Sequence, residues 1–128
     1  MSEIKSKVLA LKYRPQTFDD LIGHQVMCDT IKNSIRTSNI ANAFLLTGIR
    51  GIGKTSTARI ISKSINCKNG FENICKENYC ENCEAISNSN SLDTIEYDAA
   101  SQSGVDQIRE ILDFCRFPPS TSKYKIII

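Results

Sequence analysis

The feature that most constrains this chain is a glycine-rich octapeptide, Gly48-Ile49-Arg50-Gly51-Ile52-Gly53-Lys54-Thr55. Residues 43–47 before it form a short apolar run that ends at a glycine, which is typical of a buried strand. After it, aliphatic residues spaced three or four apart predict a helix over residues 54–66. A strand, a glycine loop and a helix in that order predict an α/β fold built around a phosphate-binding loop.

The spacing of this motif suits the binding of phosphate groups. A phosphate must meet several backbone N–H groups at once, so the loop has to curl without clashes from Cβ atoms, which glycines permit. In such a loop Lys54 reaches the β- and γ-phosphates, and the Thr55 hydroxyl ligates Mg²⁺ beside the positive end of the following helix. The motif therefore predicts a nucleotide site formed by Gly48, Arg50, Gly51, Ile52, Gly53, Lys54, Thr55 and Ser56.

The rest of the chain alternates predicted helices with short aliphatic strands. Periodic apolar residues predict helices over 25–37 and 105–115, and apolar runs predict strands over 92–97 and 124–128. This alternation predicts a parallel sheet with crossover helices. Because the last predicted strand is still apolar at Ile128, we expect a sheet that is incomplete at the C-terminus and a chain that is the N-terminal part of a longer protein.

Length and composition are those of an ordinary globular protein. The 128 residues are one domain's worth, with 41% hydrophobic and 23% charged residues. A net charge of +2 is too close to neutral to predict nucleic-acid binding from bulk charge. The sequence holds neither an apolar run of membrane-spanning length nor a secretory signal, so we expect a cytoplasmic protein without a membrane partner.

Six cysteines are unusual in such a protein, and four of them fall within seventeen residues. In a reducing cytoplasm, clustered cysteines indicate metal or redox chemistry rather than disulfides. They lie in the aperiodic stretch 67–84, which has few apolar residues from which to build a core. Four thiolates complete a closed tetrahedral zinc site. We therefore predict a structural zinc-binding insert held by Cys67, Cys75, Cys80 and Cys83.

Two alternatives to zinc remain open, namely reduced cysteines without a metal and a thioredoxin-like redox pair. The redox pair is disfavoured because such a CxxC opens a helix after a strand, and no helix is predicted to start at Cys80. Outside the insert, Cys28 and Cys115 lie on apolar helical faces and are predicted to be small buried hydrophobes. Four glutamates against two lysines make the insert acidic, so we expect it to be a protein-binding or spacing module rather than a DNA contact.

Several segments together resemble one family. Leu11-Lys12-Tyr13-Arg14-Pro15-Gln16-Thr17-Phe18-Asp19-Asp20-Leu21-Ile22-Gly23 looks like the N-terminal box of clamp-loader AAA+ ATPases, and residues 43–56 resemble their phosphate loop with its strand. The cysteine insert after the next helix is similar to the zinc module of the bacterial gamma/tau subunits of DNA polymerase III. Asp93-Thr94-Ile95-Glu96-Tyr97-Asp98-Ala99-Ala100-Ser101 resembles their second strand and the loop after it.

The resemblance implies that residues 1–128 are the N-terminal part of an AAA+ ATPase domain, with the zinc-binding insert at 67–84. It implies an ATPase subunit of a hetero-pentameric clamp loader in the cytoplasmic replisome. ATP binding would open the sliding clamp, and hydrolysis would release it closed on primer–template DNA. The implied cofactors are ATP, Mg²⁺ and Zn²⁺. The resemblance places the adenine side of the nucleotide at Tyr13, Arg14 and Pro15.

Two departures from the family pattern qualify this assignment. Four residues separate Cys75 from Cys80, where the family commonly has two, and we expect the extra pair to bulge without moving the Cys80–Cys83 pair. The family's catalytic Asp-Glu follows the strand that begins at residues 123–128, so no catalytic residue is expected within this chain. The alternatives are a P-loop nucleoside or nucleotide kinase, and a zinc-dependent interaction module whose nucleotide is structural.

Overall fold

A computed structural model describes residues 8–101 and 104–128 of the chain. Within those ranges there are five helices and two short strands, in the order α1 (Leu9–Lys12), α2 (Gln25–Arg36), α3 (Lys54–Asn66), α4 (Glu81–Ser87), β1 (Thr94–Ile95), α5 (Val105–Arg116) and β2 (Ile126–Ile127). Single 3-10 turns lie at Phe18–Asp20 and Phe71–Asn73. None of the helices described has both the length and the apolar character needed to cross a bilayer.

The two strands form a parallel sheet. Thr94 pairs with Ile126 and Ile95 with Ile127, and the chain passes between the strands through α5. The ladder extends one step further, because the Tyr97 backbone N–H donates to the carbonyl of residue 128 at 2.8 Å. A parallel pair with a crossover helix was predicted and is confirmed, although each strand is shorter than its apolar run.

The predicted strand at residues 43–47 is wrong, since no strand forms there. A cleft of about 690 Å³ separates residues 40–46 from residues 124–128 and is lined along one side by α3. No backbone hydrogen bond joins residues 43–47 to β2 in the described part of the chain, and Leu45 is 89% exposed. A strand needs a neighbour for its backbone N–H and C=O groups, and an apolar sequence does not provide one.

The hydrophobic core lies between α2 and α3. Cys28 and Ile31 of α2 pack with Ile60 and Ile61 of α3, and Phe18 from the N-terminal turn joins them. On α2, Cys28, Ile31 and Ile35 recur three and four apart, and on α3 Ile61 and Ile65 are four apart with Ile60 beside them, so each helix presents one apolar stripe to the core. Cys28 is buried, as predicted.

The last helix, α5, has an apolar stripe that the residues in the described ranges leave largely exposed. None of its residues is buried, and Ile108 and Leu112 are both more than half exposed. The prediction that Cys115 is a buried hydrophobe is therefore wrong, because that cysteine is exposed. In the sequence, the spacing of Ser103 and Asp106 resembles a capping box at the start of this helix; Ser103 lies outside the described ranges, and the N-cap of α5 is Gly104.

Two asparagines hold the end of α3 against the rest of the molecule. The Asn66 side chain donates to the Tyr124 carbonyl and accepts from the Tyr124 N–H, both at 2.9 Å. In turn, Asn82 of α4 donates to the Asn66 carbonyl at 2.9 Å. A buried helix end needs such partners for its last carbonyls, and here they also fix α4 and the start of β2 relative to α3.

Candidate functional site

The glycine loop curls into the first turn of α3. Gly51 and Gly53 have φ values of +84° and +97°, in the left-handed region that residues with a Cβ rarely adopt. Gly53 is the N-cap of α3, and no side chain caps that end of the helix. The first backbone N–H groups of a helix have no partner within it, so the loop leads directly to a positive helix end that is open to an anion.

Lys54 closes the loop on itself. Its ammonium donates to the carbonyls of Gly48 and Ile49, at 2.8 and 2.7 Å. The two ends of the predicted phosphate loop are therefore joined, and the charge of Lys54 lies inside the curl. Thr55, the predicted Mg²⁺ ligand, is exposed at the same helix end.

The predicted adenine-side residues are less closely tied to this loop. Tyr13 is 72% exposed, and the Lys12 ammonium lies 5.3 Å from its ring centre. Among the described residues, no hydrogen bond joins Tyr13, Arg14 or Pro15 to the loop at 48–55. Their role toward a nucleotide stays a prediction.

The four clustered cysteines meet in space. Their Sγ atoms all lie within 4.8 Å of one another, with Cys67 Sγ at 3.7 Å from Cys75 Sγ and 4.0 Å from Cys80 Sγ. The four residues that separate Cys75 from Cys80 do not keep these sulfurs apart, because residues 76–78 form an exposed bulge. Tyr79 packs against the cluster from the side.

Two helices and a turn position the sulfurs. Cys67 is the C-cap of α3, and Cys75 follows the Phe71–Asn73 turn. Cys80 is the N-cap of α4, and Cys83 lies in its first turn. The prediction that no helix starts at Cys80 is therefore wrong, since the polar insert does open one. No strand precedes α4 within residues 67–80, so the arrangement still differs from that of a thioredoxin-like pair.

Hydrogen bonds and burial affect the ionisation of the clustered thiols differently. Cys75 Sγ accepts from Asn69 Nδ2 and from the Cys80 N–H, both at 3.3 Å. Burial opposes ionisation of Cys80, but hydrogen bonds with the backbone of Cys83 and Lys68 outweigh it and lower its pKa to about 7. Burial raises the pKa of both Cys83 and Cys67. A cation that favours thiolates would release protons from these sulfurs.

The residues present fit a tetrahedral zinc ion. Zinc–sulfur bonds of about 2.3 Å in a tetrahedron place the sulfurs about 3.8 Å apart. Two of the sulfur–sulfur separations, 3.7 and 4.0 Å, bracket that value, and all of them lie within 4.8 Å. Four sulfur donors, three of them on buried residues, leave no open coordination position, which is the pattern of a structural site rather than a catalytic one.

Sequence reasoning did not single out the polar group beside the cluster. Lys63 and Tyr79 both donate to the Gln16 side-chain oxygen, at 3.1 and 2.9 Å. A lysine within an amphipathic helix is normally solvent-exposed, so periodicity gave no sign that Lys63 is buried. Its position one turn before Cys67, on the same helix, was the only signal in the sequence.

Comparison with known proteins decides the family. A sequence profile of the family described as DNA polymerase III, delta subunit, matches residues 23–128. The chain belongs to this family. The match spans the glycine loop, all four clustered cysteines and both strands of this DNA polymerase III family member.

Individual relatives confirm the resemblance to gamma/tau subunits. The chain is 45% identical over 122 residues to DNA polymerase III subunit gamma of Buchnera aphidicola subsp. Baizongia pistaciae, which covers 94% of this chain and 32% of that protein. It is 40% identical over 123 residues to DNA polymerase III subunit tau/gamma of Haemophilus influenzae, and the match covers 95% of this chain and 18% of that protein. It is 41% identical over 117 residues to DNA polymerase III subunit tau of Bacillus subtilis, and the match covers 91% of this chain and 20% of that protein. The chain thus spans about a third or less of the length of these relatives.

Proposed function

We propose that this chain carries the ATP-binding part of a clamp-loader ATPase subunit of a cytoplasmic DNA polymerase III. In the whole protein, ATP binding and hydrolysis would drive the loading of a sliding clamp onto primer–template DNA, together with the other subunits of a hetero-pentamer. The observation that carries the proposal is the curled glycine loop at the start of α3, in a chain that belongs to a DNA polymerase III family.

Each part of the loop has a role in binding ATP. The backbone between Gly48 and Gly53 would cradle the phosphates, and the Lys54 ammonium would exchange its two carbonyl acceptors for phosphate oxygens. The Thr55 hydroxyl would hold Mg²⁺, which when bound neutralises charge on the phosphates. The flanking positions proposed to contact the phosphates are Arg50, Ile52 and Ser56.

The four cysteines serve a different purpose in this proposal. Cys67, Cys75, Cys80 and Cys83 hold one structural Zn²⁺, which fixes the end of α3, the bulge and α4 to one another. The insert has few apolar residues of its own, which supports a structural role for the metal. Phe71 and Ile74 pack against the main core, which leaves the cysteines to organise their own half of the insert.

The family match bears on the alternatives. Membership of a DNA polymerase III family favours a replication role over a nucleoside or nucleotide kinase. A zinc-dependent interaction module with a structural nucleotide would share both sites with the clamp-loader subunit. DNA-stimulated ATP hydrolysis by the complete protein separates these two, because a structural nucleotide is not turned over.

Nucleotide binding is tested by titrating a fluorescent ATP analogue into the 128-residue chain in the presence of Mg²⁺. Lys54→Ala removes charge-assisted bonds worth about 1.5–3 kcal/mol, so the dissociation constant should rise at least about tenfold. Arg109→Ala, which removes an exposed cation on α5, is the control and should bind as the wild type does. Equal binding by the Lys54→Ala variant would refute the phosphate loop.

Metal binding is tested by elemental analysis of the purified chain. We expect about one zinc per chain, lost in Cys80→Ser and retained in Cys115→Ser. Cys115 is the matched control because it is exposed and lies outside the four-sulfur cluster. Full zinc content in the Cys80→Ser variant would contradict the proposed ligand set.

A further inference from the structure

Lys63 is a buried cation beside the cysteine cluster. It lies in the last turn of α3, and only 2% of it is exposed. Its ammonium donates to the backbone carbonyl and the side-chain oxygen of Gln16, at 3.2 and 3.1 Å, and lies 4.7 Å from the ring centre of Tyr79. None of these partners carries a negative charge.

Burying an ammonium without a counter-charge is strongly unfavourable, because the charge loses its hydration. Within residues 8–101 and 104–128, no carboxylate forms an ion pair with Lys63. Burial lowers the pKa of Lys63, and the charges of Cys83, Cys75 and Cys67, then that of Asp20, oppose the lowering. The groups that act on this lysine are thus three of the clustered cysteines and Asp20, and the cysteines would supply negative charge once a bound metal ion has displaced their protons.

The metal centre, for its part, needs a positive charge nearby. Four thiolates around one Zn²⁺ leave two negative charges, in a site whose sulfurs are mostly buried. Cys67 also sits at the C-terminal end of α3, where the helix dipole is negative. A cation in the last turn of that helix offsets both effects, and Lys63 is the buried one there.

We propose that Lys63 is the buried counter-cation of the four-cysteine metal centre. This rests on the proposed zinc site, and Lys63 acts on the metal through space rather than as a ligand. Gln16 positions it: its side-chain oxygen accepts from Lys63, and a second bond from Tyr79 at 2.9 Å fixes that oxygen. Tyr79 directly precedes the ligand Cys80, so the ammonium is held in register with the cluster.

The experiment measures the zinc dissociation constant of the 128-residue chain at pH 7, by competition with a chromophoric chelator. Lys63→Met should weaken binding between about 10-fold and 100-fold, the range for groups that support metal ligands indirectly. Lys63→Gln keeps a hydrogen-bond donor without the charge and should show the same loss. Lys63→Arg keeps the charge and should restore most of the affinity.

Lys76→Met is the matched control. Lys76 is adjacent in sequence to the ligand Cys75, but it is exposed, so water screens its charge and zinc affinity should stay near that of the wild type. A loss in Lys76→Met equal to that in Lys63→Met would show that any nearby lysine suffices and would overturn the assignment.

Thermal unfolding with and without zinc separates charge compensation from packing. In chelator, Lys63→Met should be at least as stable as the wild type, because it removes a buried charge that has lost the metal-bound thiolates. With zinc it should be less stable. A uniform loss of stability in both conditions, with unchanged zinc affinity, would mean that Lys63 only packs, and would overturn the inference while leaving the zinc site intact. Failure of the wild type to bind zinc would overturn the zinc site itself.

Discussion

Replacing Asp93 with asparagine tests how the turn before β2 is held. The Asp93 carboxylate is fully buried and accepts four hydrogen bonds. The backbone N–H groups of Ser120, Thr121 and Ser122 donate at 2.7 to 2.8 Å, and the Thr121 hydroxyl at 3.1 Å. Three successive N–H groups converge on one carboxylate, which fixes the turn from which residue 124 enters the sheet.

The magnitude follows from the charge and from what asparagine leaves unpaired. Burial opposes ionisation of Asp93, but the four donors outweigh it and lower its pKa from 3.8 to about 2. At 1.36 kcal/mol per pKa unit this corresponds to about 2 kcal/mol of native-state stabilisation. Asparagine also turns an NH₂ group toward backbone donors, and an unsatisfied buried N–H costs about 1–3 kcal/mol. We expect Asp93→Asn to lower the free energy of unfolding by about 2–4 kcal/mol at pH 7.

The pH dependence provides an internal check. The folded-state pKa of Asp93 is depressed, so its contribution is complete above the unfolded value of 3.8 and is lost as the pH falls through about 2. The difference between wild type and Asp93→Asn should therefore shrink as the pH is lowered from about 5 towards 2. Urea unfolding followed by circular dichroism, in chelator and reductant, measures it.

Asp113→Asn is the control for this experiment. Asp113 pairs with Arg116 on the exposed surface of α5, at 2.9 Å, so its loss should cost less than about 0.5 kcal/mol. An Asp93→Asn variant that unfolds within the same margin would refute the reasoning. So would a difference that stays constant down to pH 2, because the charge would then not be its source.

Two further predictions concern the two sites. Gly53→Ala should reduce the free energy of unfolding by about 1–2 kcal/mol, which a lower melting temperature would reveal, because φ at Gly53 is +97° although there is open space for a Cβ. An unchanged melting temperature would show that the loop accommodates alanine without strain. Zinc binding at pH 7 should release at least two protons, because burial raises the pKa of Cys67 and Cys83, and zinc affinity should therefore fall as the pH falls. Calorimetry in buffers of different ionisation enthalpy measures the number of protons released. Release of almost no protons would contradict the protonation of these two thiols.

Local periodicity predicted what depends on local contacts. The helices predicted over 25–37 and 54–66 are found as α2 and α3, with ends within one residue of the prediction. Their apolar stripes face each other, so burial reinforces the pattern that revealed them. The cysteine spacing likewise predicted the four-sulfur cluster, because its members come from one short stretch of chain.

The errors concern features that depend on distant partners. Residues 43–47 have the composition of a strand, but a strand also requires a neighbour within hydrogen-bonding distance, and a cleft lies where that neighbour would be. Cys115 lies on an apolar stripe that the described residues leave exposed. The burial of Lys63 depends on Gln16, 47 residues earlier in the chain, and no local pattern relates the two.

A single helix links the two candidate sites and explains their arrangement. At 1.5 Å per residue, the 13 residues of α3 place the phosphate loop and Cys67 about 20 Å apart, too far for direct contact. Its positive end faces the loop, where phosphate charge would be stabilised. Its negative end faces a centre that would itself be negative, which is unfavourable unless a cation intervenes. Lys63 occupies that position, so the sequence of this one helix suits an anion at one end and a thiolate-bound cation at the other.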